Sequence, residues 1–201
     1  MEDHKNYKEI ARQARIKIID MIYKAQVSHV GSNLSCVDIL TVLFEKMDLN
    51  KDRFICSAGW KAASVYYFLA EKGVIPKEDL DRFCQPGEEK YIGLVEPNGV
   101  FGMEAAGGAL GYGLPFGVGF ALAKKLNKEE GHIYVLMSDG EMQVGTTYES
   151  ALIAAHHGLD NLIVILDYNK FCAMGPINQV LNIEPLVNKW NSFGWQTERV
   201  D

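Results

Sequence analysis

The residues of this chain best suited to chemistry are two short polar sequences, each placed directly after an apolar run. Ser138-Asp139-Gly140 follows the apolar residues 133–137, and Asp167-Tyr168-Asn169 follows the apolar residues 162–166. Apolar runs of this length are typical of buried parallel strands, and the alanine-rich residues 145–158 between them have the length of a crossover helix. Adjacent parallel strands end at the same edge of a sheet, where ligands bind.

The side chains at these two strand ends are oxygen ligands. Asp139 supplies a carboxylate and Asn169 an amide oxygen, a set that suits Mg²⁺ or Ca²⁺ when phosphate oxygens complete the coordination shell. Gly140 allows the backbone to approach a diphosphate, because no Cβ stands in the way. Asp-Gly and Asn are also ordinary turn residues, but their pairing at two strand ends favours a metal–diphosphate site.

Three segments carry a resemblance to a known family. Residues 138–145 together with 167–169 resemble the thiamine-diphosphate fingerprint, and more closely the N-terminal section of transketolase. Residues 28–40 are similar to that family's His-x-Gly-Gly-x-Leu-Ser segment, and residues 102–113 to its Gly-Val-Glu…Thr-Gly-Ser-Leu-Gly segment. The resemblance implies an α/β fold with a parallel sheet sandwiched by helices. It also implies a single diphosphate-binding domain over 1–201, shortened at the C-terminus.

The resemblance further implies a set of site residues. Mg²⁺ (or Ca²⁺) would be held by Asp139, the side-chain oxygen of Asn169 and the main-chain carbonyl of Phe171. His29 would be the catalytic residue, as a base or hydrogen-bond donor that faces substrate and cofactor. The other residues expected to bind thiamine diphosphate are Trp60, Gly108, Ala109, Leu110, Gly140 and Glu141.

Three departures from the family pattern affect the expected substrate. Trp60 stands where transketolases usually have a second histidine, and residues 91–97 contain no counterpart of a Gly-His-Pro loop. Val144 replaces a glutamate that, in the family, joins two active sites across a dimer interface, although Glu141 and Glu149 match. An indole donates a hydrogen bond but does not shuttle a proton as imidazole does, so we expect an altered sugar pocket.

The expected partner follows from a domain that transketolases need in addition to their N-terminal section. In transketolases a glutamate from a pyrimidine-binding domain activates the cofactor, and the present sequence has no such domain. The resemblance therefore implies one subunit of a split enzyme, in a heterotetramer with a C-terminal subunit, that transfers two-carbon ketol units between small sugars or sugar phosphates. Two alternatives stay open: another thiamine-diphosphate carboligase or decarboxylase subunit with an unusual substrate, and a non-catalytic regulatory paralogue.

Composition agrees with a cytoplasmic protein of this kind. The 201 residues carry a formal net charge of −6, which argues against nucleic-acid and anionic-membrane partners, and 48% are hydrophobic, enough for one substantial core. The four cysteines show no Cys-x-x-Cys spacing, which indicates reduced packing thiols. No apolar run is long enough to span a membrane, and the N-terminus does not resemble a signal peptide.

Periodicity predicts the elements that must position these residues. Strands are expected near 54, 133, 162 and 196. A helix over 36–46 is expected to be capped by Ser35, and an exposed loop is expected over 86–101. The further predicted helices cover residues 7–26, 62–72, 77–83, 114–126, 145–158 and 185–193.

Overall fold

A computed structural model describes residues 6–200 of the chain. The described residues group into two compact units by their contacts. The first unit takes residues 6–49 and 59–108, and the second takes residues 50–58 and 109–200. The sequence-based assignment of one domain to 1–201 stays a prediction.

The first unit is helical. Its helices are α1 (Tyr7–Ala25), α2 (Val30–Ser35), α3 (Val37–Lys46) and α4 (Ala62–Glu71), followed by a 3-10 turn over Lys77–Arg82. The Asn6 side chain accepts the N–H of Glu9 and so caps α1. At the end of α4, Gly73 adopts a left-handed φ of 71°, which a glycine adopts without steric cost. The predicted ends of both helices are therefore confirmed to within a residue.

The cap predicted for the 36–46 helix is wrong. Helix α3 has the expected extent and carries Asp38 in its first turn, but its N-cap residue is Cys36, which makes no side-chain cap hydrogen bond. Ser35 instead ends α2, and its hydroxyl donates to the carbonyl of Ser32 at 3.1 Å. The short helix α2 therefore ends at the residue where the cap of the next helix was expected.

Residues 86–101 are irregular, as predicted, but they are not uniformly exposed. Tyr91 and Val95 are buried in the first unit. The hydroxyl of Tyr66 donates to the carbonyls of Ile92 and Leu94, at 3.1 and 3.0 Å. The ring of Tyr91 also packs edge-on against Tyr66. Aromatic contacts with α4 therefore bury part of a segment whose composition predicted exposure.

The second unit contains a three-stranded parallel sheet. Its strands β1 (Arg53–Cys56), β2 (Ile133–Ser138) and β3 (Leu162–Asp167) lie in the order β1-β2-β3. Helix α5 (Gly113–Asn127) precedes β2, and helix α6 (Gly145–His156) crosses from β2 to β3. The predicted α/β fold with a parallel sheet is confirmed. The prediction succeeded because buried strands and amphipathic helices both have strong sequence patterns.

Helix α5 packs on this sheet through its small residues. A Cβ on Gly117 would lie 2.5 Å from Cγ2 of Val135, so only glycine allows the helix to lie this close to β2. The helix predicted over 114–126 is confirmed to within a residue at each end, and it has one exposed face that includes Phe116 and Leu126.

The C-terminal part of the second unit differs from the prediction. Residues 195–200 form no strand, whereas the sequence predicted one near 196. The indole N–H of Trp195 donates to the carbonyl of Ala151 at 2.9 Å, and its ring packs edge-on against Trp190. The remaining elements are a small antiparallel hairpin, β4 (Phe171–Cys172) and β5 (Gly175–Pro176), and the helices α7 (Ile177–Val180) and α8 (Leu186–Ser192).

Two sequence-based expectations about the whole chain can be compared with the described residues. Within residues 6–200, no helix is both long and apolar enough to cross a membrane. All four cysteines are free; Cys36 and Cys56 are buried, and Cys84 and Cys172 are half-buried.

Candidate functional site

The two predicted ligands follow paired strand ends. Ser138 of β2 pairs with Asp167 of β3, so the residues that come next leave the same edge of the sheet. Asp139 begins a 3-10 turn over Asp139–Gln143 and is only 1% exposed. Burial of a carboxylate is unfavourable without compensating groups, and the C-terminal edge of a parallel sheet is where such folds bind ligands.

Asn169 and Phe171 lie in one tight turn after β3. The side-chain Oδ1 of Asn169 accepts the N–H of Phe171 at 2.9 Å, and Lys170 between them adopts a left-handed φ of 68°. This Asx-type turn fixes the carboxamide relative to the following main chain. A carboxamide oxygen is also one of the oxygen ligands that Mg²⁺ and Ca²⁺ take. The Phe171 ring itself is exposed, so any contribution to a metal comes from its main chain.

The turn at Gly140 lies beside the β4 hairpin. A Cβ on Gly140 would lie 3.6 Å from Cβ of Cys172, so the turn after β2 and the segment after β3 are close neighbours. Together they offer one carboxylate, one carboxamide oxygen and one main-chain carbonyl, which is a donor set that fits Mg²⁺ with diphosphate oxygens and water. No group of three His, Cys, Asp or Glu side chains within residues 6–200 could hold a metal, and a set with Asp139 as its one acidic ligand does not need such a group.

Glu141 is a buried carboxylate with several donors. Its oxygens accept hydrogen bonds from the Ser57 hydroxyl, from the N–H of Gly111 at 3.1 Å, and from the N–H and hydroxyl of Ser138 at 2.8 and 3.3 Å. The Ser57 hydroxyl also accepts the N–H of Gly113 at 3.0 Å. Glu141 thus ties the end of β2 to the segments after β1 and before α5. Its assignment as a cofactor-binding residue stays a prediction, and sequence reasoning missed Ser57.

We expect Glu141→Gln to lower the free energy of unfolding by roughly 1–3 kcal/mol. The amide nitrogen of the glutamine would face an N–H group whose hydrogen bond it cannot accept, because an amide nitrogen only donates. Burial raises the pKa of Glu141 above its ordinary value of 4.5. The folded state therefore holds this proton more tightly than the unfolded state. The advantage of the wild type over the glutamine variant should be largest below pH 4.5 and should shrink as the pH rises through the raised pKa. Urea denaturation of both proteins across this range measures the difference, and a constant difference would contradict the prediction.

The residues predicted to line the cofactor fall in different units and are described separately. Gly108, in the first unit, has φ of +133°, and a Cβ there would lie 3.4 Å from the Leu94 side chain. Ala109 and Leu110 begin the second unit and are exposed. Their role beside the cofactor stays a prediction.

His29 is the N-cap residue of α2 and has a left-handed φ of 72°. Its ring is exposed and its Nδ1 lies 3.4 Å from the hydroxyl of Ser28. The main-chain carbonyl of His29 accepts the N–H of Asn33 at 3.1 Å, which closes the first turn of the helix. A non-glycine residue with this φ is uncommon and marks a position where the surroundings dictate the backbone.

Trp60 lies in a 3-10 turn, Gly59–Lys61, directly before α4 and is half-buried. The next residue, Lys61, is 0% exposed, and its ammonium donates to the carbonyl of Ser32 at 2.9 Å and the hydroxyl of Ser35 at 3.3 Å. Sequence reasoning missed this buried lysine. Its signal was a single cation within the otherwise uncharged sequence from Phe54 to Ala70.

The positions where the family pattern has glutamates lie around the start of α6. Val144 is the N-cap residue of this helix, in an extended conformation, and is half-buried. Glu149 is exposed one turn into the helix. A valine at the N-cap offers the helix no side-chain acceptor, so the helix start lacks the acidic group that the family pattern would place there.

Comparison with known proteins agrees with this geometry. The chain is 36% identical over 191 residues to an apulose-4-phosphate transketolase subunit of Phocaeicola vulgatus, covering 90% of this chain and 67% of that protein. It is 33% identical over 192 residues to a 6-deoxy-6-sulfo-D-fructose transketolase subunit of a Clostridium species, covering 91% of this chain and 70% of that protein.

Solved structures of transketolases share the fold. A transketolase from Campylobacter jejuni is 33% identical with a TM-score of 0.85, and one from Leishmania mexicana is 26% identical with a TM-score of 0.86. Each match covers 94% of this chain but only 32% and 31% of those transketolases, so the chain spans about a third of their length. The family model described as "Transketolase, thiamine diphosphate binding domain" matches residues 6–201. The chain therefore belongs to the transketolase family of transferases, as its thiamine diphosphate binding domain.

Proposed function

We propose that this chain is one subunit of a split transketolase that binds thiamine diphosphate through Mg²⁺ and transfers two-carbon ketol units. The observation that carries the proposal is the strand-end arrangement, in which buried Asp139 and the Asn169–Phe171 turn follow paired positions of adjacent parallel strands. Asp139, Asn169 and the carbonyl of Phe171 would hold the ion, and Gly140 would present its N–H to the diphosphate.

Thiamine diphosphate, when bound, supplies the carbon nucleophile and electron sink for breaking and forming the carbon–carbon bond. The chain's own residues would bind the cofactor, orient the substrate and move protons. His29 is exposed at the start of α2. It would donate a hydrogen bond to a hydroxyl or carbonyl of the substrate, or accept the proton of a substrate hydroxyl. Trp60 would shape the sugar pocket with its indole. Gly108, Ala109, Leu110 and Glu141 would line or support the cofactor.

The partner would be a second protein that carries the pyrimidine-binding domain, and the complex would be a heterotetramer in the cytoplasm. Two relatives are named as transketolase subunits and are themselves covered to 67% and 70% by this chain, which supports division of the activity between chains. Helices α5 and α6, which pack against each other, carry exposed apolar side chains such as Phe116 and Leu152, and exposed apolar surface usually marks an interface.

The substrates would be small ketoses with an aldose or aldehyde acceptor. The relatives are named for apulose 4-phosphate and for 6-deoxy-6-sulfo-D-fructose, neither of which is an ordinary pentulose phosphate. Trp60 and the missing histidine loop at 91–97 support an altered pocket here too. The same observations favour, as the second candidate, another thiamine-diphosphate carboligase or decarboxylase. A non-catalytic paralogue is less well supported, because Asp139, Gly140 and Asn169 are all present.

The experiment that tests the proposal is a turnover assay of the chain together with a candidate partner that carries the pyrimidine-binding domain. The donors would be a pentulose phosphate, apulose 4-phosphate and 6-deoxy-6-sulfo-D-fructose, each with and without thiamine diphosphate and Mg²⁺. Ketol transfer that requires both additions supports the proposal. A 2-keto acid is tested in the same assay. If the complex binds the cofactor and decarboxylates the 2-keto acid but transfers no ketol unit, the second candidate is favoured. No cofactor binding by the complex would overturn both.

Trp60→His should lower kcat/KM for the preferred donor rather than create activity on a pentulose phosphate. If the pocket has been rebuilt around the indole, removing this aromatic surface costs roughly 1–3 kcal/mol of binding. Trp60→Phe is the matched control, since it keeps an apolar ring and should lose less. Steady-state kinetics of the partnered complexes measure both effects. A clear gain in kcat/KM on a pentulose phosphate for the histidine variant would show that the pocket is an ordinary one with a single altered residue.

A further inference from the structure

We propose that Asn33 is a positioning residue that holds His29 and Trp60 in fixed relative places. One side-chain amide bridges the two: Nδ2 of Asn33 donates to the main-chain carbonyl of His29 at 2.9 Å and to that of Trp60 at 3.1 Å. All three residues belong to the first unit. The inference rests on the proposed function only for the assignment of His29 and Trp60 to the substrate pocket.

The orientation of this carboxamide is set by its other end. Oδ1 of Asn33 accepts the N–H of Ser64 at 2.9 Å. The Ser64 hydroxyl, which has one hydrogen to donate, lies 2.8 Å from the main-chain carbonyl of Asn33 and 3.1 Å from Oδ1. A backbone N–H donates only, so the atom facing it must be the oxygen, and the nitrogen must face the two carbonyls. Asn33 is 2% exposed, and its side chain uses both donor hydrogens and accepts a backbone N–H at Oδ1. A buried amide that is bonded at both ends in this way has one orientation.

Asn33 also caps a helix that lies far away in the sequence. Ser64 is in the first turn of α4, whose N-cap residue, Lys61, makes no side-chain cap hydrogen bond. Oδ1 of Asn33 supplies the missing acceptor for one of the N–H groups at the start of that helix. The amide therefore joins the start of α4, the turn with Trp60 and the start of α2 at a single point.

His29, which has a left-handed backbone, is hydrogen-bonded to Asn33 through its carbonyl. Its φ of 72° is costly for a non-glycine residue and persists where surrounding contacts over-determine it. The carbonyl of His29 accepts both the main-chain N–H and Nδ2 of Asn33. Without the side-chain bond, this carbonyl would keep two bonds from within α2, from the N–H of Asn33 and from the hydroxyl of Ser32 at 3.0 Å. His29 would then lose the connection that Nδ2 of Asn33 makes to the carbonyl of Trp60.

A second link joins the two segments without fixing His29 or Trp60 directly. The ammonium of Lys61 reaches α2 at Ser32 and Ser35. Loss of the Asn33 bridge should therefore leave α2 attached to the turn before α4, while the carbonyls of His29 and Trp60 lose the donor that they share. This separation makes a positioning role distinguishable from a purely structural one.

The test compares Asn33→Asp with Ser64→Ala. The aspartate keeps the size of the side chain and the acceptor for Ser64 but removes both Nδ2 donors. Ser64→Ala removes the hydroxyl on the acceptor side and leaves the bridge intact. Both chains are labelled with 5-fluorotryptophan for ¹⁹F NMR; Trp190 and Trp195, both in the second unit, serve as internal references, and Trp60→Phe assigns the Trp60 signal.

The expected result is a shifted or broadened Trp60 resonance in Asn33→Asp only, with the two reference resonances unchanged in both variants. In the partnered complex, kcat/KM for the preferred donor should fall at least about tenfold in Asn33→Asp, because a small misplacement of pocket groups has effects of this size. The fall for Ser64→Ala should stay under about threefold. Should the aspartate variant fail to fold, Asn33→Ser removes the same donors without burying a charge.

An unchanged Trp60 resonance in Asn33→Asp would overturn the proposal, as would equal losses of kcat/KM in the two variants at matched thermal stability. The ¹⁹F measurement needs no substrate and no cofactor. If the wild-type complex shows no ketol transfer, the proposed function fails, and the NMR result still decides whether Asn33 positions Trp60.

Discussion

Asp139→Ala and Asn169→Ala are each expected to abolish Mg²⁺-dependent binding of thiamine diphosphate by the assembled complex. Each removes one oxygen of a near-octahedral shell, and Mg²⁺ tolerates little departure from that geometry. The expected loss of cofactor affinity is at least a hundredfold, since residues that merely orient a metal ligand are worth about ten- to a hundredfold. Calorimetric titration of thiamine diphosphate, at fixed and at zero Mg²⁺, measures this loss.

Asp160→Ala is the matched control for these variants. Asp160 and Asn161 are an Asp and an Asn, as are the two predicted ligands, but they precede β3 and so lie at the opposite end of the strand from Asn169. Asp160 is also exposed. This variant should keep the cofactor affinity of the wild type. The metal-site assignment fails if Asp139→Ala and Asn169→Ala both fold and bind the cofactor as tightly as the control.

The second large effect concerns the partner: the chain alone should show no ketol transfer, and turnover should appear when a protein with the pyrimidine-binding domain is added. The reason is that the chain spans about a third of the transketolases that share its fold, and the group that activates the cofactor in that family belongs to another domain. Steady-state assays across a titration of the partner, with sedimentation of the isolated chain, measure turnover and self-association. Full activity in a monodisperse monomer would rule out the proposal of a split enzyme.

Surface variants test which face the partner covers. Phe116→Glu on α5 and Leu152→Glu on α6 place a charge on side chains that are 43% and 58% exposed, and should weaken assembly at least about tenfold, since the cores of interfaces are depleted of charge. Tyr23→Glu on α1 is the control, because Tyr23 is 73% exposed but lies in the other unit. Equal assembly of all three variants would place the interface elsewhere.

Much of the second unit was predictable from the chain alone. The apolar runs that became β2 and β3 and the alanine-rich α6 between them have strong local patterns, and the fixed hand of crossover connections leaves few alternatives for their arrangement. The sequence alone therefore predicts that Asp139 and Asn169 lie at one edge of the sheet. The prediction of a strand near 196 is wrong, and Trp195 is instead used in tertiary packing: its indole N–H donates to Ala151 of α6 and its ring packs edge-on against Trp190.

The sequence by itself determined strands β1 to β3, the longer helices around them, the polar residues at the strand ends and the family to which they point, because these depend on residue type and short-range periodicity. The tertiary structure alone decided which partners the buried polar groups take. Glu141 reaches Ser57 across 84 residues, Asn33 caps a helix 31 residues away, and Lys61 is buried against the end of α2. Such bonds have no local signal, because burial makes a polar side chain seek whichever donor or acceptor the fold brings to it.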